Sequence, residues 1–401
     1  MKIYYVPLFL LLGCGMSNNQ KSPTSEQIEK SQISNPYGLS EEDVLWMKEA
    51  TIKQLKGSRI QGPNDVWLHT PDGVGNYKAQ WTRDTYYMIE YAGNLFKQDE
   101  IKATMNYLLD GQREDGCIPD RVNIKGKPIY SPGGENRPMA DHALDNGPFM
   151  ALMVCSYLDQ YDDKEYFASV ESKIRKGLDH VNRAENGLVF NDPDNPECVY
   201  GFTDIVKKTG HLLFSSLIYY DACMHLARFS NKYEIGNADE YRKRAELIKN
   251  SIGKLWDDKI GMFWAADLTN KQIDIWGSAF AIDVGITDAS QTDKITNYLI
   301  TNYDQVVQRG QVRHLPGSDD HWEELFHACD VGTYQNGAYW ATPLAWMVPV
   351  YAKRDPELAK KMVQETIDDF QENGINECIN GDYFKVPNFV VSATNVYTLT
   401  R

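Results

Sequence analysis

The sequence predicts an all-α chain that closes into a double ring of helical hairpins. Three observations carry that prediction. Apolar residues recur at three- and four-residue spacing through ten segments, the period of a helix with one buried face. Strand-like patches are few and short, at 188–190, 262–265 and 389–391. The loops at one end of the helices are long and rich in charge and aromatics (76–85, 111–147, 195–210, 305–340 and 374–390), as for a site built on a rigid scaffold. No sequence period marks a repeat, so an open helical solenoid is the structural rival. The loop asymmetry favours the closed ring.

The elements follow in chain order. Residues 1–14 read as a targeting segment. Lys2 precedes an apolar run from 3 to 12 that is too short to span a bilayer, and Leu11-Leu12-Gly13-Cys14 resembles a bacterial lipoprotein cleavage box. That resemblance implies lipidation at Cys14, export, and a periplasmic or cell-surface protein held by its lipid. An ordinary secretory signal is the alternative and also implies export. Residues 15–38, rich in Ser, Asn, Gln, Lys and Pro, bury too little apolar surface to fold and form a tether. One domain is expected over 39–401.

Helices are expected at 40–56, 86–96, 101–112, 148–161, 166–183, 211–229, 239–256, 278–286, 291–302, 338–352 and 356–373, with a twelfth hidden in 320–330. Pro148 and Pro356 suit helix starts, and Gly374 suits a helix end. Twelve helices make six hairpins, an inner and an outer ring.

The formal charge of −15 (56 acidic against 41 basic residues), without a basic patch, argues against nucleic-acid binding. Aromatics make up 12% of the chain and are compatible with stacking on sugar rings, although aromatics also fill cores. The seven cysteines include no Cys-x-x-Cys pair. Cys155 and Cys223 fall in apolar helical patterns as buried thiols, and no disulfide pairing is assigned. His314, His321 and His327 read as loop histidines, because their spacing with Glu324 departs from zinc-protease patterns. Asp319 and Asp320 alone do not specify calcium. No metal or cofactor is expected.

Three acidic residues stand in distinctive settings. Asp84 ends Gln80-Trp81-Thr82-Arg83-Asp84, Asp204 ends Tyr200-Gly201-Phe202-Thr203-Asp204, and Glu377 sits in Asn376-Glu377-Cys378. Glycosidic cleavage needs one carboxyl to protonate the leaving oxygen and another to activate water or attack carbon. Arg83 and Asp84 can donate to and accept from neighbouring sugar hydroxyls, or form an internal salt bridge. Gln112 and Arg121 are further hydroxyl ligands, as are Gln335 and Asn336, with Trp340 for stacking. Trp81 reads as core. Asp204 can instead cap a helix, and Glu377 can sit in a surface turn beside Gly374 and Gly381. Glu323, Glu324 and Asp330 are rival bases.

The order of these motifs resembles the six-hairpin, (α/α)6-barrel glycosidases, nearest the trehalase and glucosidase branch, over about residues 60–395. Trp81-Thr82-Arg83-Asp84 resembles that branch's Trp-Asp-Ser segment, and Asp145-Asn146-Gly147-Pro148-Phe149 its Gln-Pro-Pro-Phe helix start, which adds Asp145 and Asn146 to the substrate ligands. Tyr200 to Asp204 lies where the family has Gly-Trp-Asp. Leu255-Trp256-Asp257 and Tyr334-Gln335-Asn336-Gly337 resemble two further segments. The resemblance implies an (α/α)6 barrel, Asp204 as general acid, Glu377 as general base, and inverting, exo-acting hydrolysis of α-glucosides or related oligosaccharides. The trehalase signature blocks are not intact and the glycine-rich run after the base is missing. A sugar epimerase on the same fold and a non-catalytic, lipid-anchored glycan-binding protein are the alternatives.

Overall fold

The computed structural model describes residues 35–317 and 320–401. The targeting segment with Cys14, the tether as far as residue 34, and Asp319 lie outside the described residues.

Thirteen α-helices run along the described chain: α1 (Glu41–Gly57), α2 (Thr82–Ala92), α3 (Gln98–Leu109), α4 (Asn146–Tyr161), α5 (Lys164–His180), α6 (Leu213–Tyr233), α7 (Ala238–Ser251), α8 (Ile275–Asp283), α9 (Ala289–Thr301), the single turn α10 (Tyr303–Val306), α11 (Leu344–Ala352), α12 (Pro356–Asn373) and α13 (Val390–Tyr397). Helices α2, α4, α6, α8, α11 and α13 each pack on the next, and α13 packs back on α2, which closes an inner ring. Around it, α1 lies on α13, α3 and α5 on α4, α7 on α6, α9 on α8 and α12 on α11. This is the (α/α)6 barrel.

Side-chain chemistry decides which ring a helix joins. Every residue from Asn146 to Leu158 of α4 is buried, as is every residue of α13. A helix that is apolar all round has to be surrounded. In α7 only Tyr241, Ala245 and Ile248 are buried, a single stripe that suits an outer position. Five of the six outer helices begin with side-chain caps that satisfy their free N–H groups, Ser40, Asp163, Asn237, Asp288 and Asp355, while α3 begins at Lys97 without one. Of the inner helices only α8 has one, from Asp274. The starts of the others are covered by the long loops, and there the site forms.

The structure departs from expectation in four places. Residues 320–330 contain no helix; they run as a loop in which Phe326 N–H donates to the Ile205 carbonyl (2.7 Å). The helix expected from 338 starts only at Leu344, because the preceding residues are drawn into β-bridges from Tyr339 to Ile379 and Trp340 to Val312. Residues 390 and 391, which read as strand, open α13. Asn35, expected in the tether, donates from Nδ2 to the Leu399 carbonyl (2.9 Å) and so lies against the domain.

Candidate active site

Three connections bring the acidic residues together. The short strand Ala79–Trp81 pairs with Arg121–Asn123 and runs directly into α2, placing Arg83 and Asp84 in the first helical turn. A one-turn 3-10 helix, Gly201–Thr203, ends at Asp204 in the loop before α6. Glu377 lies on strand Asn376–Asn380, which pairs with Tyr383–Pro387, and not in a surface turn. These segments line a cavity of about 360 Å³ together with Tyr77, Trp81, Phe202, Tyr334 and Phe389.

Asp204 is 7% exposed and caps nothing by its side chain in the helix that follows. Its Oδ1 accepts from Gln335 Nε2 (2.9 Å). The same amide accepts from Ile205 N–H (2.9 Å) and reaches the Gly201 carbonyl (3.2 Å), so Gln335 clamps the acid's turn instead of facing a ligand. Burial pushes the Asp204 carboxyl up to about 7, against the pull of Arg83 and Gln335. Asp84 is likewise raised to about 7 by burial, with Arg83 opposing.

Glu377 is 3% exposed. Its Oε1 accepts from the Tyr77 hydroxyl (2.8 Å), and its Oε2 has no hydrogen-bond partner among the described residues. Burial raises it to about 8; the Lys385 cation and the Tyr77 hydrogen bond oppose that shift. The Lys385 ammonium sits 4.1 Å from the centre of the Tyr334 ring, at the side of the same cavity.

Beneath the cavity lies a buried ionic network. Arg83 pairs with Asp120 (2.7 Å) and Asp145 (3.2 Å), and reaches Asn146 Oδ1 (3.4 Å). Asp120 also pairs with Arg121 (2.6 Å), and Asp145 accepts from Gly201 N–H (2.8 Å). Removing one partner from such a network strands a buried charge. Asp145 and Asn146, expected to grip sugar hydroxyls, line neither cavity and instead spend their polar atoms on this network, whereas Arg83 is held by it while lining the inner cavity and Arg121 while lining a neighbouring one. Asn146 Nδ2 also holds the Ile118 carbonyl (3.2 Å), and the Arg121 guanidinium lies 4.4 Å from the centre of the Trp81 ring.

Further corrections follow from position. Gln112 ties the Gly116 and Lys173 carbonyls (both 2.9 Å), away from the cavity. Asn336 joins Trp322 N–H (2.8 Å) to the Cys329 carbonyl (2.9 Å). Trp340 is wholly buried and donates to the Tyr334 carbonyl (3.3 Å), which makes it core beneath the site. Trp81, expected in the core, forms part of the cavity wall. Glu323, Glu324 and Asp330 are exposed, and Glu324 pairs with Lys207 (3.2 Å). His314 is buried against Trp276, ring centres 3.6 Å apart, while His321 and His327 are exposed.

Sequence reasoning misses Tyr77, Asp120, Lys208 and Lys385. A signal exists for Tyr77: Asp72 precedes it in an Asp-Gly turn, and its carboxylate accepts from the N–H groups of Val74, Asn76 and Tyr77 (2.8–3.0 Å), which shapes the loop that presents the tyrosine. Lys208 is buried behind Asp204's turn, where its ammonium donates to Thr203 Oγ1 (2.9 Å) and lies 4.4 Å from the Trp322 ring centre. Burial lowers it to about 8.

A second, larger cavity of about 890 Å³ opens outward from the first. The two share Tyr77, Trp81, Asp204 and Tyr334. Asp204 thus stands at their junction, whereas Glu377 lines the inner cavity alone.

No protein-family model and no curated protein matches the sequence. Solved structures do match in fold. A GH63 mannosylglycerate hydrolase from Thermus thermophilus, in complex with glucose, is 15% identical, with a TM-score of 0.66 over 88% of this chain and 100% of that one. A rhamnosidase from Klebsiella oxytoca with rhamnose bound is 12% identical, with a TM-score of 0.65 over 90% of this chain and 64% of that one. A glucoamylase from Saccharomycopsis fibuligera is 12% identical, with a TM-score of 0.61 over 93% and 97%. The barrel is the fold these glycosidases share.

Proposed function

We propose that the protein is an exported glycoside hydrolase that removes a terminal sugar from an α-glucoside or a related α-linked oligosaccharide, with inversion. The observation that carries this reading is the placement of Asp204 at the junction of two cavities. A general acid has to reach the oxygen between the departing and retained sugars. The inner cavity takes the terminal residue and the outer one its leaving group. Asp204, kept protonated by burial, donates to that oxygen. Glu377, whose Oε2 is unengaged on the inner side, accepts a proton from the attacking water. Tyr77 and Lys385 oppose the burial that raises Glu377 to about 8, so the state that turns over, Asp204 protonated and Glu377 ionised, is a minority near neutral pH. Asp84 faces the inner cavity as a hydroxyl ligand.

The fold neighbours, which include a glucoamylase and a hydrolase holding glucose, support a hydrolytic reaction on a glycoside. The epimerase alternative uses histidines as proton carriers, and no histidine lines either cavity among the described residues. The sequence around Cys14 supports export and lipid anchoring.

The test is a panel of α- and β-linked disaccharides followed by proton NMR of the anomeric signals. The first sugar released should carry the inverted configuration. Asp204→Asn and Glu377→Gln should each lower kcat at least about 100-fold while circular dichroism stays unchanged. A variant with wild-type turnover would remove that residue from its role, and retained configuration would replace the inverting mechanism.

A further inference from the structure

Away from the active site, a cavity of about 590 Å³ opens between α1, the strand Trp67–His69 and the start of α3. The walls are apolar: Ile52 and Leu55 from α1, Leu95 and Phe96 from the link between α2 and α3. The rim is basic, with Lys56, Arg59 and Lys97. Glu100 is the one carboxylate lining it among the described residues, and Arg59 pairs with it, leaving Lys56 and Lys97 without an ion-pair partner there. For a chain of net charge −15 this is a local inversion of sign.

The floor holds a second, independent feature. His69 is 5% exposed; one ring nitrogen faces the Leu55 carbonyl without closing a hydrogen bond, and the other has no partner among the described residues. The same ring borders a smaller cavity behind it, between α2 and α3. Buried polar atoms are almost always satisfied, so an imidazole left open at the floor of an apolar pocket marks a place where a ligand atom supplies the contact. Burial, then the charge of Arg59, lowers the ring to about 4, against the pull of the Leu55 carbonyl. At neutral pH it offers one donor and one acceptor and no charge.

We propose that this pocket binds a small amphipathic carboxylate, with its apolar body against Phe96 and Leu95 over the His69 ring and its anionic head at Lys56 and Lys97. The apolar walls select the body, and two unpaired cations at the mouth select the head. Such exposed charge contacts contribute modestly, so the sign of the head adjusts an affinity set mainly by apolar burial.

The experiment uses the full chain with the imidazole carbons of its histidines labelled, and follows the His69 signal by proton–carbon NMR. The probes are octanoate, octanol and octyltrimethylammonium, and His69→Gln assigns the signal. Octanoate should move the His69 resonance in a saturable way and bind about threefold more tightly than octanol, with the cationic probe weakest. Lys56→Gln with Lys97→Gln should remove the preference for octanoate and leave octanol binding as before. An unmoved His69 signal with octanoate, or equal affinities for all three probes in the unsubstituted protein, would overturn the proposal. The readout does not use hydrolysis and therefore stands or falls apart from the proposed reaction.

Discussion

At Glu377 two opposing influences act on one carboxyl. Burial drives it toward the protonated form, and Lys385 is the leading influence the other way. Replacing Lys385 by Met removes the cation and leaves the burial. The Glu377 pKa should then rise, so that a higher pH is needed to ionise the base. Because Glu377 (about 8) titrates above Asp204 (about 7), the alkaline limb of the kcat/KM profile should move up and the maximum should fall, with little change in the acidic limb that Asp204 sets. A profile that kept its shape and lost only height would mean that Lys385 does not act on the base. The same burial has a consequence for stability. The unfolded chain loses the protons of Asp204 and Glu377 near the ordinary carboxylate values, 3.8 and 4.5, while the folded protein holds them to about 7 and about 8. Between those limits the unfolded state binds fewer protons, so rising pH from about 4 to 8 progressively favours unfolding. Asp204→Asn and Glu377→Gln remove that cost. Each should be more stable than the parent at pH 8, by on the order of 2–4 kcal/mol, with the gain vanishing near pH 4. Denaturant titrations at the two pH values measure it, and an equal difference at both would show that the carboxyls do not titrate as described.

The one-turn 3-10 helix Gly201–Thr203 is positioned by the side chains around it more than by its own backbone. Arg83 lies so close beneath it that a Cβ on Gly201 would fall 1.7 Å from Arg83 Cδ. The glycine is required by this approach. Gly201→Ala should displace either the turn or the guanidinium with its partners Asp120 and Asp145, at a cost of about 3 kcal/mol or more. Because Asp204 follows the turn, kcat/KM should fall about 100-fold in the fraction that remains folded. Wild-type stability with wild-type turnover would refute the fit. This element also shows what can be read from sequence. The order Gly-Phe-Thr-Asp points to Asp204, and Trp-Thr-Arg-Asp to the start of α2. Nothing local shows that Arg83 meets Asp120 and Asp145, 37 and 62 residues further on, because burial of that network is decided by the folded loops. Hence Arg83 reads as a ligand in the sequence and Asp120 carries no signal there. The same limit explains α13. An eight-residue helix buried on every side has no polar face to set a period, so its first residues read as strand. The outer helices, each with a single apolar stripe, are legible close to their true bounds.

In the whole molecule the weak point of a closed ring is where it closes. The ring joins at α13, the last helix of the chain, which packs between α11 and α2 and beneath α1. All eight of its residues are buried, including Val390, Val391, Val396 and Tyr397. Each large apolar side chain contributes about 1.5–3 kcal/mol by burial. Together they rival the whole net stability of a typical domain, about 5–15 kcal/mol. A chain ending at Asn388 would also leave the apolar inner faces of α2 and α11 open to water. Such a chain should keep helical circular dichroism, because α4 to α7 retain their neighbours, but lose the cooperative thermal transition and bind a hydrophobic dye such as anilinonaphthalene sulfonate. It should also lose turnover, since Phe389 and the hairpin bearing Glu377 are held in place by α13: Val390 N–H bonds the Pro71 carbonyl (2.8 Å), and Ser392 Oγ bonds the Asn376 carbonyl (2.8 Å) beside the base. A truncated chain that melted cooperatively at the parent's temperature would mean that five inner helices suffice, and that the sixth serves only to carry the site. The hydrogen bonds from α13 to both rims of the inner cavity argue that closure of the ring and assembly of the site are one event.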